Sequence, residues 1–119
     1  MKDLKLRTKE FALRIIHLSS SLPSSLEAQV LRKQILRSGT SVGAHYREGS
    51  RARSTAEFVS KLNGGLQELE ETAYWLELLA DSGLVDADRL SDLQNETNEL
   101  TAILITCIKN AKDKQSLDR

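Results

Sequence analysis

The chain has 119 residues, with 17 Lys or Arg balanced by 17 Asp or Glu, so its formal net charge is zero. Aromatic residues make up 4% of it, and one proline and six glycines are too few turn formers for a β-sandwich or barrel. The single cysteine excludes an internal disulfide and a cysteine-based zinc site, and no apolar run reaches the roughly 20 residues of a membrane span. We therefore predict one all-α domain over residues 1–119, located in the cytoplasm and without a membrane partner.

Charge is distributed unevenly along the chain. Residues 1–53 hold eleven Lys or Arg and four Asp or Glu, whereas residues 54–119 hold six and thirteen. One interpretation is that the two halves attract each other within the fold or between neighbouring copies. The other is that the basic half binds nucleic acid. The overall neutrality favours the first interpretation.

The first predicted helix covers residues 4–18 and carries two apolar stripes. The first stripe consists of Leu4, Thr8, Phe11, Ile15 and Leu18, and the second of Leu6, Leu13 and Ile16. A helix in a monomeric bundle needs only one buried face. The second stripe therefore predicts contact with another copy of the chain.

Capping signals predict where the later helices begin and end. They are the Ser24–Glu27 box before the second helix, the Ser54–Glu57 box before the third, Gly83 after the third and Asp86 before the fourth. The connections are short, so we expect an up-down-up-down antiparallel four-helix bundle. Residues 112–119 are polar, and we expect them to fray into solvent.

Four glycines interrupt the apolar patterns of the second and third helices. Gly39 and Gly43 lie in the second helix, and Gly64 and Gly65 in the third. We predict that they lie at one level, where the backbones of these two helices approach each other. A kink or interruption of the second helix at its glycines is the alternative. The predicted helix-packing or subunit-interface set is Gly39, Gly43, Gly64, Gly65, Tyr46, Trp75 and Leu78.

Acidic residues share one line of the third helix with Trp75. Glu68 and Glu71 lie on this line, and either catalysis or an ion-pair network could require them. No partner motif indicates a substrate, so we expect pairing with Arg37, Arg47 or Arg51, within the hairpin or across a subunit interface. The predicted polar network is Arg37, His45, Glu48, Glu68 and Glu71.

Metal and cofactor sites are not predicted. A di-metal centre in a helical bundle uses Glu-x-x-His pairs, and neither His17 nor His45 follows a glutamate at that spacing. No serine or cysteine belongs to a nucleophile motif. We therefore predict a protein that is not an enzyme.

Basic residues of the N-terminal half are the candidates for nucleic-acid contact. They are Lys2, Lys5, Arg7, Lys9, Arg14, Arg47, Arg51 and Arg53. No recognition fold or base-stacking platform accompanies them. A solvated basic surface is the alternative.

Two segments resemble a known family. RSGTSVGAHYREGSRARSTAEFVSKL at 37–62 and ELEETAYWLELL at 68–79 resemble the four-helix proteins encoded within intervening sequences of bacterial 23S ribosomal RNA genes. Members of that family usually carry Asn at the position of His45. The resemblance implies an up-down bundle that assembles as a ring-shaped homopentamer, in a family without an established enzyme activity.

A related group, the accessory proteins of diversity-generating retroelements, has a similar pentameric bundle and binds nucleic acid and a reverse transcriptase. Those proteins are typically more basic than this chain. We therefore expect a self-assembling interaction scaffold whose partner is itself. The alternative is an accessory protein that binds RNA, DNA or a nucleic-acid enzyme through a basic N-terminal hairpin.

Overall fold

Four helices account for most of the computed structural model, which describes residues 3–117. They are α1 (Leu4–Ser21), α2 (Leu26–Ser50), α3 (Thr55–Asp81) and α4 (Ala87–Leu117). Each helix packs against the next one in the chain, and α1 packs much less closely against α4. The bundle measures 55 × 22 × 21 Å, and no strand occurs within the described range. The predicted all-α, up-down four-helix bundle is confirmed.

The cap of α2 lies one residue later than predicted. Ser25, rather than Ser24, accepts a hydrogen bond from the backbone N–H of Ala28 at 3.3 Å. The carbonyl of Ser24 instead accepts from the side-chain amide of Gln29 at 2.9 Å. Two adjacent serines offer the same capping chemistry, so their order in the sequence could not decide between them.

The ends of α3 follow the predicted signals. The Ser54 hydroxyl accepts from the N–H of Glu57 at 3.1 Å, and the Glu57 carboxylate accepts from the N–H of Arg53 at 3.4 Å. The Ser54 bond satisfies one of the free donors at the helix start, and Glu57 reaches back to the N–H of the residue before the cap. Gly83 adopts a φ of 78° directly after the helix, as a left-handed cap requires.

The last helix is longer than we expected. α4 remains helical through Leu117, although the polar composition of residues 112–119 led us to expect fraying. Residues 118 and 119 lie outside the described range. Lys114 lies in the last turn, where a cation favours the negative end of the helix dipole.

The core is one continuous layer of apolar side chains that also encloses several hydroxyls, two of which contact each other. Ser38 and Thr72 are fully buried, and their hydroxyl oxygens lie 2.8 Å apart across α2 and α3. The largest fully buried side chains are Phe11, Ile15, Ile35, Leu62, Leu69, Leu76, Leu79, Leu90, Leu100 and Leu104. The buried residues of α3 repeat at spacings of three and four along one seam of the helix, consisting of Leu62, Gly65, Leu69, Thr72, Leu76 and Leu79.

The glycines of α2 contact α1. This corrects the prediction that all four glycines lie where the backbones of α2 and α3 approach each other. A methyl group added at Gly39 would lie 2.7 Å from Cγ1 of Ile15, and one at Gly43 would lie 3.1 Å from Oγ1 of Thr8. The prediction was wrong for these two residues because spacing does not reveal which neighbour a helix face meets. α2 also runs uninterrupted through both glycines, so the alternative of an interruption is wrong as well.

The glycines of α3 do lie against α2. A methyl group at Gly64 would lie 2.7 Å from Cε1 of His45. One at Gly65 would lie 3.2 Å from Cδ1 of Leu104 and 3.8 Å from the carbonyl oxygen of Val42. The absent side chains at 64 and 65 thus leave room for the His45 ring and for the backbone of α2.

Candidate interaction surfaces

Ion pairs connect α2 and α3 along the groove between them. Nη2 of Arg37 lies 2.8 Å from Oε1 of Glu71, and Nη1 lies 3.5 Å from Oε1 of Glu68. The structure therefore brings Glu68 and Glu71 together with Arg37 of the same hairpin, one of the three arginines considered from sequence. These carboxylates are occupied by a fixed cation, as in a structural network.

A separate ion pair, between Lys61 of α3 and Glu48 of α2, lies further along this groove. Nζ of Lys61 lies 2.9 Å from Oε2 of Glu48. The hydrogen bond from the Lys61 ammonium lowers the pKa of the Glu48 carboxyl, and attraction to His45 lowers it further. The same bond raises the pKa of Lys61. The sequence-based prediction missed Lys61 as the partner because it weighed only arginines.

His45 lies between these two groups rather than bonding them into one network. Its ring covers Gly64, and its buried Nδ1 has no hydrogen-bond partner among residues 3–117. The predicted five-residue network is thus two ion-paired groups with an imidazole packed between them.

Aromatic side chains continue the groove toward the end of α3. The rings of Tyr74 and Trp75 have their centroids 5.2 Å apart and are tilted by 52°. Tyr74 is 52% exposed, whereas Trp75 and Leu78 are half-buried. Tyr46, also in the predicted interface set, packs against the core as Trp75 does, and burial raises the pKa of its hydroxyl.

The second apolar stripe of α1 points into solvent in the single chain. Leu6, Leu13 and Ile16 are 48%, 45% and 40% exposed. Their spacing of seven and three residues places them on one side of the helix. A column of large aliphatic side chains on the surface of a bundle is typical of a contact surface.

The basic residues considered for nucleic acid do not all belong to one surface. Arg7 is engaged by Glu96 at 2.7 Å and by Glu99 at 3.1 Å on α4, so its charge is neutralised within the chain. Lys2 lies outside the described residues. The exposed members of the set are Lys5, Lys9, Arg14, Arg51 and Arg53, with Arg47 half-buried.

Antiparallel packing gathers charges that are distant in the sequence at one end of the bundle, which we call the basic end. The start of α1, the end of α2, the start of α3 and the end of α4 meet there. Its basic residues are Lys5, Lys9, Arg47, Arg51, Arg53, Lys109, Lys112 and Lys114, and they outnumber the acids of the same segments, Asp3, Glu10, Glu48, Glu57 and Asp113. The opposite, acidic end carries Glu27, Glu77, Asp81, Asp86, Asp88 and Asp92. The sequence-based prediction missed the α4 lysines, although the antiparallel topology could have placed them.

Metal-binding and membrane-spanning features are absent from the part of the chain that the structure describes. Within it, no group of three His, Cys, Asp or Glu side chains is placed to hold a metal ion. No helix formed by those residues is long and apolar enough to cross a membrane.

The fold and its surfaces define a four-helix bundle built on a tight α2–α3 hairpin. The family model of the 23S rRNA-intervening sequence protein matches residues 3–106, so the chain belongs to that family. A similar solved structure is a protein of unknown function from the S23 ribosomal protein family of Bacteroides thetaiotaomicron, at 42% identity and a TM-score of 0.85. That match covers 90% of this chain and 99% of the other. No curated protein matches the chain.

Proposed function

We infer that the protein is a non-enzymatic scaffold that assembles with copies of itself. The observation that carries this proposal is the exposed apolar column of Leu6, Leu13 and Ile16 on α1. Burial of apolar surface is worth roughly 25 cal/mol per Å², so covering such a column favours association. The half-buried Trp75 and Leu78 on α3 supply a second surface of this kind.

The proposed assembly is a ring of five chains in the cytoplasm. The number five comes from the family resemblance and not from the spacing of residues. Repetition of one interface around a closed ring satisfies every copy equally. The proposal of a non-enzymatic role is supported by the position of Glu68 and Glu71 beside Arg37, an arrangement typical of a structural ion-pair network.

Light scattering coupled to size-exclusion chromatography tests the assembly. At micromolar concentration and moderate salt, we expect five times the 13.3 kDa mass of one chain. A mass of 13.3 kDa under those conditions would overturn the proposal. A stable mass of another multiple would keep self-assembly and correct only the number.

A second candidate function is binding of RNA or DNA, alone or with a nucleic-acid enzyme, at the basic end. The observation that favours it is that basic residues from α1, α2 and α4 lie together at this end of the bundle. Dividing the sequence into a basic and an acidic half does not show this, because the α4 lysines belong to the acidic half. A ring would repeat these weak contacts and raise the overall affinity through avidity.

Salt dependence tests this second candidate. Phosphate contacts make affinity fall steeply with ionic strength, so we expect binding at about 50 mM salt to vanish near 200 mM. Tight binding at the higher salt, lost on changing Arg47, Arg51 and Arg53 to Ala, would make nucleic-acid binding the leading function. A matched control changes Arg32, whose side chain is engaged by backbone carbonyls away from the basic end.

A further inference from the structure

Two exposed faces of the bundle have complementary chemistry. The α1 outer face consists of Leu6, Lys9, Leu13 and Ile16, and the α3 outer face of Glu71, Tyr74, Trp75 and Leu78. Both combine large apolar side chains with charge, but the charges are opposite in sign. α1 as a whole carries four Lys or Arg and one acid, whereas α3 carries six acids and one Lys.

The α1 outer face is turned toward α2. Arg7 precedes the buried Thr8 and faces α4, because it binds Glu96 there. Consecutive residues of an α-helix are rotated by about 100°. Lys9, which follows Thr8, therefore lies on the opposite side, next to α2, and Ile16 lies two turns further along the same side.

The α3 outer face points away from the core, with one edge toward α2 and the other toward α4. Glu68 precedes the buried Leu69 and pairs with Arg37 of α2. Glu70 follows Leu69 and lines a surface depression shared with α4. Trp75 is seven residues beyond Glu68, so it lies on the side that faces α2, whereas Tyr74 is four residues beyond Glu70 and lies on the side nearer α4.

We propose that the α1 outer face of one copy docks on the α3 outer face of the next copy. This docking rests on the proposed self-assembly and names the surfaces that perform it. Lys9 of one copy then approaches the acidic α3 helix of its neighbour, in which Glu71 is already paired with Arg37, and the apolar column of α1 packs against Tyr74 and Trp75. Contact between two α1 faces would instead place Lys9 near a second Lys9, which electrostatic complementarity disfavours.

The placement of the two faces determines how the contacts close. Faces on opposite sides of a bundle would continue a head-to-tail contact into a straight filament. Here the α1 outer face leans toward α2 and the α3 outer face points outward, so the two faces are not directly opposite each other. Each added copy is therefore rotated relative to the previous one, and head-to-tail contacts with a suitable rotation close into a ring. The α2 side, where the angle between the two faces is smaller, is the inner side of such a ring. α2 therefore faces the ring axis, and α4 lies outside.

A mixing experiment with two variants tests the docking. Leu13→Glu places a charge in the α1 outer face, and Tyr74→Asp removes an aromatic ring from the α3 outer face. Both positions are exposed, at 45% and 52%, so each variant should keep the circular dichroism spectrum of the native fold. Ile105→Glu on α4, also 52% exposed but outside both faces, is the matched control and should assemble normally.

We expect each of the two interface variants to be a monomer by light scattering. Mixed together, they should form a dimer of twice 13.3 kDa and nothing larger, because one intact α1 face meets one intact α3 face and every further contact would set the two introduced acids against each other. Assembly of either variant at the native mass, or a mixture that stays monomeric, would overturn the docking while the assembled native protein upheld the proposed function. A monomeric native protein would overturn both.

Discussion

Arg7 donates hydrogen bonds from Nε and Nη2 to the two carboxylate oxygens of Glu96, at 2.8 and 2.7 Å, and so connects α1 with α4. These two helices pack less closely than any consecutive pair. Only 22% of the Arg7 side chain and 15% of the Glu96 side chain are exposed. The bidentate pair therefore links the first and last helices where few apolar contacts do.

We expect Glu96→Gln to lower the free energy of unfolding by about 1–2 kcal/mol at neutral pH, the usual range for a charge-assisted hydrogen bond. The Arg7 guanidinium lowers the pKa of the Glu96 carboxyl below its ordinary 4.5. A lowered folded-state pKa gives stability that is present above the unfolded pKa and is lost as pH falls through the folded value. Urea unfolding at fixed protein concentration from pH 7 to pH 3 should show the variant and the native protein converging in acid.

Glu99→Gln is the matched control for this change. Glu99 also binds Arg7, but its side chain is 66% exposed, so the loss should be smaller. An unfolding difference for Glu96→Gln that stayed constant from neutral to acidic pH would contradict the assigned cause.

Gly65→Leu should destabilise the bundle by about 1–3 kcal/mol, because extra carbons in a packed core force neighbours to shift. Even a methyl group at this position would lie 3.2 Å from Cδ1 of Leu104. Thermal unfolding measures the loss, and Asn63→Leu, an exposed position on the same helix, supplies the same side chain without the crowding. An unchanged melting temperature for Gly65→Leu would show that the side chains around residue 65 can rearrange to accept the leucine, and would contradict the predicted overpacking.

The buried hydroxyl pair of Ser38 and Thr72 should show strong coupling. Thr72→Val leaves the Ser38 hydroxyl with only its long, 3.5 Å hydrogen bond to the carbonyl of Ile35 and should cost about 0.5–1.5 kcal/mol, the net contribution of a typical hydrogen bond. Ser38→Ala in the same chain should recover part of that loss. A double-mutant cycle measured by denaturant unfolding gives the coupling, and simple additivity of the two changes would argue against the bond.

The inward orientation of α2 predicts a cross-linking pattern. Cysteines introduced at Ala44 on the exposed side of α2 should lie near the ring axis and near each other, so a bis-maleimide should join several chains. Ala102→Cys on α4 is also exposed and should join few. Both variants need a Cys107→Ala background, since Cys107 is a partly exposed free thiol. Efficient linkage at Ala102 and none at Ala44 would place α4 inside the ring.

Local signals predicted the helices well because they act within one turn. The Ser54 box, the Gly83 cap and the buried seam of α3 depend on residues three or four apart, where sequence spacing determines geometry. The prediction of Ser24 as the cap of α2 was wrong, although it also concerned a single helical turn. Ser24 and Ser25 are the same residue type, and only the backbone conformation decides which of them is the cap.

Relationships between distant segments could not be predicted in this way. Arg7 and Glu96 are 89 residues apart, and nothing in their neighbourhoods indicates the pair, so Arg7 was assigned to nucleic-acid contact. Gly39 and Gly43 likewise face α1 because of how the bundle is arranged, and a helix pattern shows that a small face exists without naming its neighbour. Site prediction failed where it needed tertiary partners.

The separation of basic and acidic ends has a consequence for how assembled particles behave. Cyclic symmetry repeats every chain in the same orientation, so side-by-side copies would place all basic ends on one rim and all acidic ends on the other. Such a particle has an electric dipole along its axis, with opposite rims that attract when two particles meet coaxially. At low ionic strength we expect the particles to stack into columns, which dissolve as salt shortens the range of the attraction. Turbidity that rises on dialysis against dilute buffer and clears on adding salt would report this stacking.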